Sequence, residues 1–345
     1  MGQDTKIQWC HHTFNPVIGC SKVSDGCKHC YAEDLMDRRY GKAKWGKDGT
    51  RVVTSDANWK QPFKWDREAA KAGERRRVFC ASLSDVFEDR EEWIEPRARL
   101  WRLILSTPNL DWLLLTKRPE YAANWLDDNV YGPAEFGDWT LADLGGGPVP
   151  NVWLGTSIEN QATADERIPH LLSIPAAVRF LSIEPLLGPV DLILHRYDVI
   201  RSTRQTECDQ DVLRGTQNHY VGGVPHSGCL SGCIDWVIIG GESGSKARPC
   251  DLAWIRSIRD QCQAAGVACF VKQLGARPME WELCGLAPNS IPSATLDYHL
   301  SMGGSEPDDV PHWLNLRDSH GGDPSEWPED LRIRELPRVT EPATP

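Results

Sequence analysis

DWLLLTKR (residues 111–118) is a run of apolar residues that stops abruptly in a hydroxyl and two cations. A run of that length is short for a helix. It suits a strand covered on both faces, as strands of a parallel sheet are. The same design recurs in FNPVIG (14–19), RVFCAS (77–82), NVWLGTS (151–157), RFLSIE (179–184), DWVIIGG (235–241) and ACFVKQ (268–273). Between them, WIEPRARLWRLILS (93–106) sets Ile94, Leu100, Trp101, Ile104 and Leu105 at helical spacing, and LAWIRSIRDQCQAAG (252–266) runs to a glycine stop. Alternating strand and helix predict an α/β fold, a complete or partial (βα) barrel of the TIM type. Its site belongs on the rim formed by the C-terminal ends of the strands.

That rim carries Ser82, Ser84 and Asp85 after the second strand, then Thr116, Lys117 and Arg118, then Ser157, Glu159 and Asn160. Glu184, the group Gly240, Gly241, Glu242 and Ser243, and finally Lys272 and Gln273 complete it. Any one of these is as readily a strand-end cap or a solvated side chain, but their recurrence at one rim points to a shared pocket. Two segments stand outside the repeat. Residues 192–234 interrupt it as an insertion holding Cys208, Cys229 and Cys233 with His219 and His226. Residues 277–345 form an irregular Pro/Gly-rich and acidic tail, expected to pack on the 1–276 barrel through Trp327 and Leu331.

The chain has 345 residues and a net charge of −11, which argues against coating nucleic acid by bulk electrostatics. The charge is uneven, however. Residues 1–80 hold 16 Lys/Arg against 10 Asp/Glu, a balance of +6, so the remainder carries −17. The basic excess lies in RRYGKAKWGKDGTR (38–51) and ERRR (74–77) and is either a solvated face or a local contact for a polyanion. No stretch approaches the roughly 18 apolar residues of a membrane span, and MGQDTKIQWCHH has no apolar signal core. The expectation is a cytoplasmic protein without a membrane partner.

Twelve cysteines in such a chain direct attention to metal or redox chemistry, because the cytosol keeps thiols reduced. Cys80, Cys262 and Cys269 sit in apolar or helical runs and read as packing residues. GCSKVSDGCKHCYAE is different: Cys20, Cys27 and Cys30 form a C-x6-C-x2-C run on a loop leading into a helix. Zinc would need a fourth ligand from His29, His11, His12 or Cys10. An iron-sulfur cluster accepts three cysteines and leaves one iron open. In the insertion, Cys208, Cys229 and Cys233 with a histidine have the makings of a small zinc clip, or are unligated thiols.

The ordered segments IQWCHHTFNPVIGCSKVSDGCKHCYAE, FCASLSDVFE, LLLTKRPE, VWLGTSIENQ, RFLSIEPLLG and WVIIGGESGSKARP resemble the phage and prophage radical-SAM-like family long filed as a domain of unknown function. The resemblance covers about residues 5–276, with the WPEDLR tail. The first cysteine spacing exceeds the commoner C-x3-C-x2-C by three residues, and His29 stands where an aromatic is usual, with Tyr31 following. The resemblance implies a barrel of the radical SAM kind, with a [4Fe-4S] cluster on Cys20, Cys27 and Cys30. S-adenosylmethionine (SAM) would chelate the open iron and yield a 5′-deoxyadenosyl radical, with flavodoxin or ferredoxin as electron donor.

It further implies that Ser82, Ser84 and Asp85 hold the methionine ammonium, that Ser157 and Glu159 hold the ribose, and that Glu184, Gly240, Gly241 and Glu242 complete the adenosine side. Lys117, Arg118 and Arg248 are candidates for substrate binding, and Lys117 and Lys272 for acid–base work; salt bridges to Glu184 or Glu242 are the alternative for the lysines. The family's setting suggests a base in viral DNA as substrate, with isomerisation of an N-linked glycyl group on the thymine methyl to the C-linked form. Arg38, Arg39, Lys42, Lys44 and Lys47 would hold DNA phosphates. The alternatives are a radical SAM enzyme acting on a protein or small molecule, and a zinc-stabilised nucleic-acid-binding module without catalysis.

Overall fold

The computed structural model describes residues 5, 7–126, 148–200, 204–221, 224–229, 232–281 and 311–338. Its centre is a parallel seven-stranded sheet curled into a half-barrel. The strands are β1 (His12–Thr13), β2 (Arg76–Cys80), β3 (Leu110–Thr116), β4 (Val152–Ser157), β5 (Val178–Ile183), β6 (Trp236–Gly240) and β7 (Ala268–Gln273), and they neighbour one another in chain order. The helices α1 (Gln61–Ala72), α2 (Ile94–Leu105), α3 (Pro119–Leu126), α4 (Gln161–Leu172) and α5 (Leu252–Ala265) fall between them.

Side chains alternate across each strand, so each apolar run feeds two cores. Val78, Trp112, Leu114, Val152, Leu154, Leu181, Val237 and Val271 face the helices. Phe79, Leu113, Trp153, Phe180, Trp236 and Phe270 meet Trp9 in a second cluster. Trp9 sits edge-on to Phe79, with ring centroids 4.8 Å apart. Gly155 leaves room for this packing: a Cβ there would lie 2.4 Å from the Phe180 ring. The residues two and four positions further along share the face of this second cluster, namely Leu115 and Lys117, Ser157, Ser182 and Glu184, and Lys272. This parity delivers the rim side chains to one place.

The first strand departs from the sequence expectation. FNPVIG does not form it. His12–Thr13 pairs with β2 instead, and Phe14 N still donates to Phe79 O at 2.9 Å. Pro16, without an N–H, ends the parallel ladder, and Val17–Ile18 pairs antiparallel with Val52–Val53. In α2, Ile94 and Leu105 stay exposed because they lie at the flank of the buried stripe. Arg97 goes inside instead, its guanidinium donating to Val86 O and Glu88 O, each at 2.8 Å. α5 ends as expected, at Gly266 in the left-handed region with φ 69°.

Between β5 and β6 the chain makes a four-stranded antiparallel sheet from Ile193–Ile200, Arg204–Asp211, Thr216–Val221 and Val224–Cys229. The side chains of Cys208, Cys229, His219 and His226 lie outside the described residues, and the expected zinc clip with them. Cys233 is half-buried, and burial raises its thiol pKa. In the tail, Trp327 and Leu331 are buried, and Trp327 Nε1 donates to Gly321 O at 3.0 Å. Residues 333–335 then run antiparallel along β7, with Val271 N to Ile333 O and Glu335 N to Cys269 O both at 2.9 Å. An unpaired sheet edge is thereby covered by the protein's own chain. Among the described residues, no helix is long and apolar enough to cross a membrane.

Candidate functional site

The C-terminal rim of the half-barrel surrounds a cavity of about 490 Å³. One wall is the loop after β1, which brings Cys20, Cys27 and Cys30 to it; the others come from Ser82, Ser84 and Asp85, from Lys117 and Arg118, from Ser157 and Glu184, and from Gly241, Glu242 and Lys272. Glu159, Gly240 and Arg248 do not line it. The cysteine loop is pinned from several sides. Gly19 N donates to Leu83 O at 3.0 Å and Tyr31 Oη to Ser82 O at 2.7 Å. Gly19 has φ 120°, and a Cβ there would lie 2.3 Å from Thr50 O, so the first cysteine follows a turn that glycine alone makes without strain.

Glu159 is a clamp for this loop. Its carboxylate accepts from Ser24 Oγ at 2.9 Å, Lys117 Nζ at 2.5 Å and Arg167 Nη1 at 3.1 Å. Burial works against its charge, but Lys117 and Arg167 outweigh it and hold the pKa below the ordinary value. Both expected roles, ribose contact for Glu159 and acid–base work for Lys117, therefore fall on residues joined in one ion pair. Asn160, next in the chain, caps α4, with Thr163 N donating to its side chain at 3.1 Å.

Asp85 is likewise engaged: Thr116 Oγ1 donates to it at 2.7 Å, Lys117 N at 3.0 Å and Arg118 Nη1 at 2.9 Å. Arg118 also donates to Ser21 O at 2.9 Å and Ser21 Oγ at 2.8 Å, and its Nη1 lies 3.8 Å from Cys20 Sγ. Burial disfavours the guanidinium charge, yet Asp85, Cys20 and Glu88 raise its pKa overall. Burial and Asp85 push the Cys20 thiol up to about 12, against the lowering effect of Arg118. Cys30 is raised too, chiefly by burial.

Across the cavity, Lys272 Nζ pairs with Glu184 Oε1 at 2.9 Å, and Ser182 Oγ donates to Glu184 Oε2 at 3.1 Å. The two glycines of β6 and its rim answer to protein neighbours: a Cβ on Gly240 would lie 2.6 Å from Glu184 Oε1, and one on Gly241 2.2 Å from Leu274 O. Arg248 forks onto Glu242 at 2.8 and 2.7 Å and reaches Asp25 O at 3.0 Å, so it ties the cysteine loop to β6. Burial raises the Glu242 pKa, but Arg248 lowers it further. His29 Nδ1 stands 3.3 Å from Glu242 Oε1.

Three thiols free of disulfides on one wall form a soft donor set suited to iron or zinc. Ser84 Oγ, buried at the same cavity without a hydrogen-bond partner among the described residues, offers a polar ligand an unused hydroxyl. Cys20 Sγ points to Ser21 O at 3.4 Å and Cys27 Sγ lies 4.0 Å from Ser24 Oγ. Among the described residues, no three His, Cys, Asp or Glu side chains already stand as a metal-ligating group.

The basic segment adjoins the thiols. Gly46 N donates to Cys20 O at 2.9 Å, and Trp45 lines the cavity. Arg39 and Lys42 flank the Tyr40 ring at 5.7 and 5.8 Å, while Lys44 pairs with Asp37 at 3.5 Å and Arg38 with Glu33 at the same distance. Sequence reading missed Arg51, whose guanidinium forks onto Glu88 at 2.5 and 2.6 Å, and also Ser21, Ser24 and Arg167. Their signal is pairing between distant segments, which a linear pattern does not carry.

A family model described as "Protein of unknown function (DUF5131)" matches residues 4–302. No curated protein and no solved structure matches the chain.

Proposed function

We propose, from the premise that the chain belongs to the family described as Protein of unknown function (DUF5131), that it is a radical SAM enzyme with a [4Fe-4S] cluster held by Cys20, Cys27 and Cys30. One observation carries the reading: three cysteines arrive directly after the first strand of a parallel half-barrel and line the cavity at its C-terminal rim. Such rims are where barrels of this kind do chemistry. Bound there, the cluster and SAM supply a 5′-deoxyadenosyl radical.

The protein's own residues do the rest. Ser82 and Ser84 offer hydroxyls to the methionine ammonium and Ser157 one to the ribose, while Asp85 acts by holding Arg118. Lys272, paired with Glu184 at 2.9 Å, holds a proton at the cavity wall. Trp9 and its aromatic neighbours fill the space beneath and keep water from it.

The substrate is a modified thymine in DNA, and the reaction is isomerisation of its glycyl group from N-linked to C-linked. Hydrogen leaves the glycine α-carbon, the thymine methylene moves from nitrogen to that carbon as its C–N bond breaks and a C–C bond forms, and hydrogen returns to the nitrogen, so the elemental composition is unchanged. Support comes from the basic segment fixed beside Cys20. A flavodoxin or ferredoxin supplies the electron.

The test is anaerobic reconstitution with iron and sulfide, metal analysis, and reduction in the presence of SAM. Iron and sulfide near four per chain and formation of 5′-deoxyadenosine are expected, by the cluster's stoichiometry. Zinc in place of iron would establish the non-catalytic alternative. Mass spectrometry of nucleosides from treated DNA tests the substrate, and turnover of the free nucleotide at equal rate would overturn the polymer.

A further inference from the structure

We infer that Arg118 is a tuning residue for Cys20, its guanidinium donating to the sulfur and raising the electron affinity of the cluster that sulfur holds. The inference rests on the cluster reading above. Its geometric basis is the 3.8 Å approach of Arg118 Nη1 to Cys20 Sγ; no other guanidinium is bonded to Cys20, Cys27 or Cys30 among the described residues.

Arg118 is fixed in place. It is 5% exposed, and Asp85, Ser21 O and Ser21 Oγ take three further donors of its two Nη groups at 2.8–2.9 Å. A guanidinium held on several edges keeps its planar fork in one orientation, where a lysine would be a mobile point charge. The surrounding charge is balanced: Asp85 and Glu88 contribute two negatives, Arg118 and Arg51 two positives, with Glu88 forked by Arg51 and 3.5 Å from Arg118 Nη2. Removing Arg118 leaves the sulfur beside a net negative charge as well as without its donor.

Reduction adds an electron to an anionic cluster. A hydrogen bond to a ligating sulfur and a nearby cation both favour the reduced form, and hydrogen bonds to sulfur are among the determinants of cluster potential. Burial strengthens both effects by lowering the local dielectric. Arg118 thus makes Cys20 electrostatically unlike the other two ligands.

Wild type, Arg118→Met, Arg118→Gln and Arg51→Gln are reconstituted and analysed for iron and sulfide. Each is then titrated with reductant under EPR observation. Iron-free wild type overturns the cluster reading and the tuning role with it. With clusters present, the reduced-to-oxidised ratio at fixed potential is expected to fall about tenfold in both Arg118 variants, equivalent to about 59 mV for a one-electron couple. Arg51→Gln, which removes an equal charge from the same network but no sulfur contact, changes that ratio less than about threefold, under half as much on the same logarithmic scale. Equal potentials in wild type and Arg118→Gln, or a drop as large in Arg51→Gln, overturn the inference. Should Arg118→Met fail to fold, Arg118→Gln, able to bond Ser21 and Asp85, decides it alone.

Discussion

Ser24 Oγ donates a 2.9 Å hydrogen bond to Glu159 Oε1 across 135 residues of sequence, and Gly26 packs directly on the same carboxylate. The loop between the first two cysteines is therefore shaped against the end of β4, the middle strand of the sheet and three places from its own. Lys117 and Arg167 hold the carboxylate charged and in position for that contact.

Gly26→Ala places a methyl 2.4 Å from Glu159 Oε1, and neither the carboxylate nor the loop backbone can yield without breaking a bond described above. The expected cost is about 1–3 kcal/mol, typical of overpacking. Iron bound per chain after reconstitution falls with it. Urea unfolding and iron analysis check both; an unchanged midpoint would mean the loop shifts freely.

Replacing Cys20, Cys27 or Cys30 by alanine removes cluster iron while the fold persists, because the core lies in the two apolar clusters beneath the loop. Far-ultraviolet circular dichroism and iron analysis of Cys27→Ala provide the measurement. Full iron occupancy would show the ligand to be elsewhere.

Asp251, 1% exposed at the N-cap of α5, has its carboxyl raised by burial from 3.8 to about 6 even though Ala253 N donates to it. A raised folded-state pKa means stability fully present below about pH 4 and lost as the pH climbs through 6. Asp251→Asn keeps an acceptor for Ala253 N and does not ionise. It should be more stable than wild type by roughly 1–3 kcal/mol at pH 7.5, with most of the gap closed at pH 4.5. Urea midpoints at the two pH values decide it, and a constant gap would contradict the linkage.

Reversing the charges of Arg38, Arg39, Lys42, Lys44 and Lys47 should weaken DNA binding equally across sequences, since phosphate contacts position a strand without reading it. The logarithmic salt slope should fall by about one for each phosphate that is no longer neutralised. Fluorescence anisotropy at several salt concentrations measures this; retained affinity would place the polymer elsewhere.

The parallel strands were legible because burial on both faces leaves an unbroken apolar signature, as in Trp112, Leu113 and Leu114. The rim followed, since strand parity carries Phe180 to Ser182 and Glu184. His12 escaped: a histidine stacked on Trp65 with ring centroids 4.4 Å apart does not look like a strand residue, and FNPVIG beside it does. RQTECDQD, now an antiparallel strand, has the composition of a loop, because it pairs through its backbone and lacks the apolar run. At the site, the residue types were visible but their partners were not. Nothing in the string joins Arg51 to Glu88 or Arg248 to Asp25.

The two latches of the cysteine loop also carry a chronology. The loop is made before its partners, since Glu159 follows Ser24 by 135 residues and Arg248 follows Asp25 by 223. While the chain lengthens from its N-terminus, the three thiols have neither anchor, and sheet order dictates that β4 and β6 arrive in turn. The thiols therefore pass through an open interval before the rim closes around them. The ribosome's pace, as much as the final geometry, sets how long they stand open to a metal donor or an oxidant.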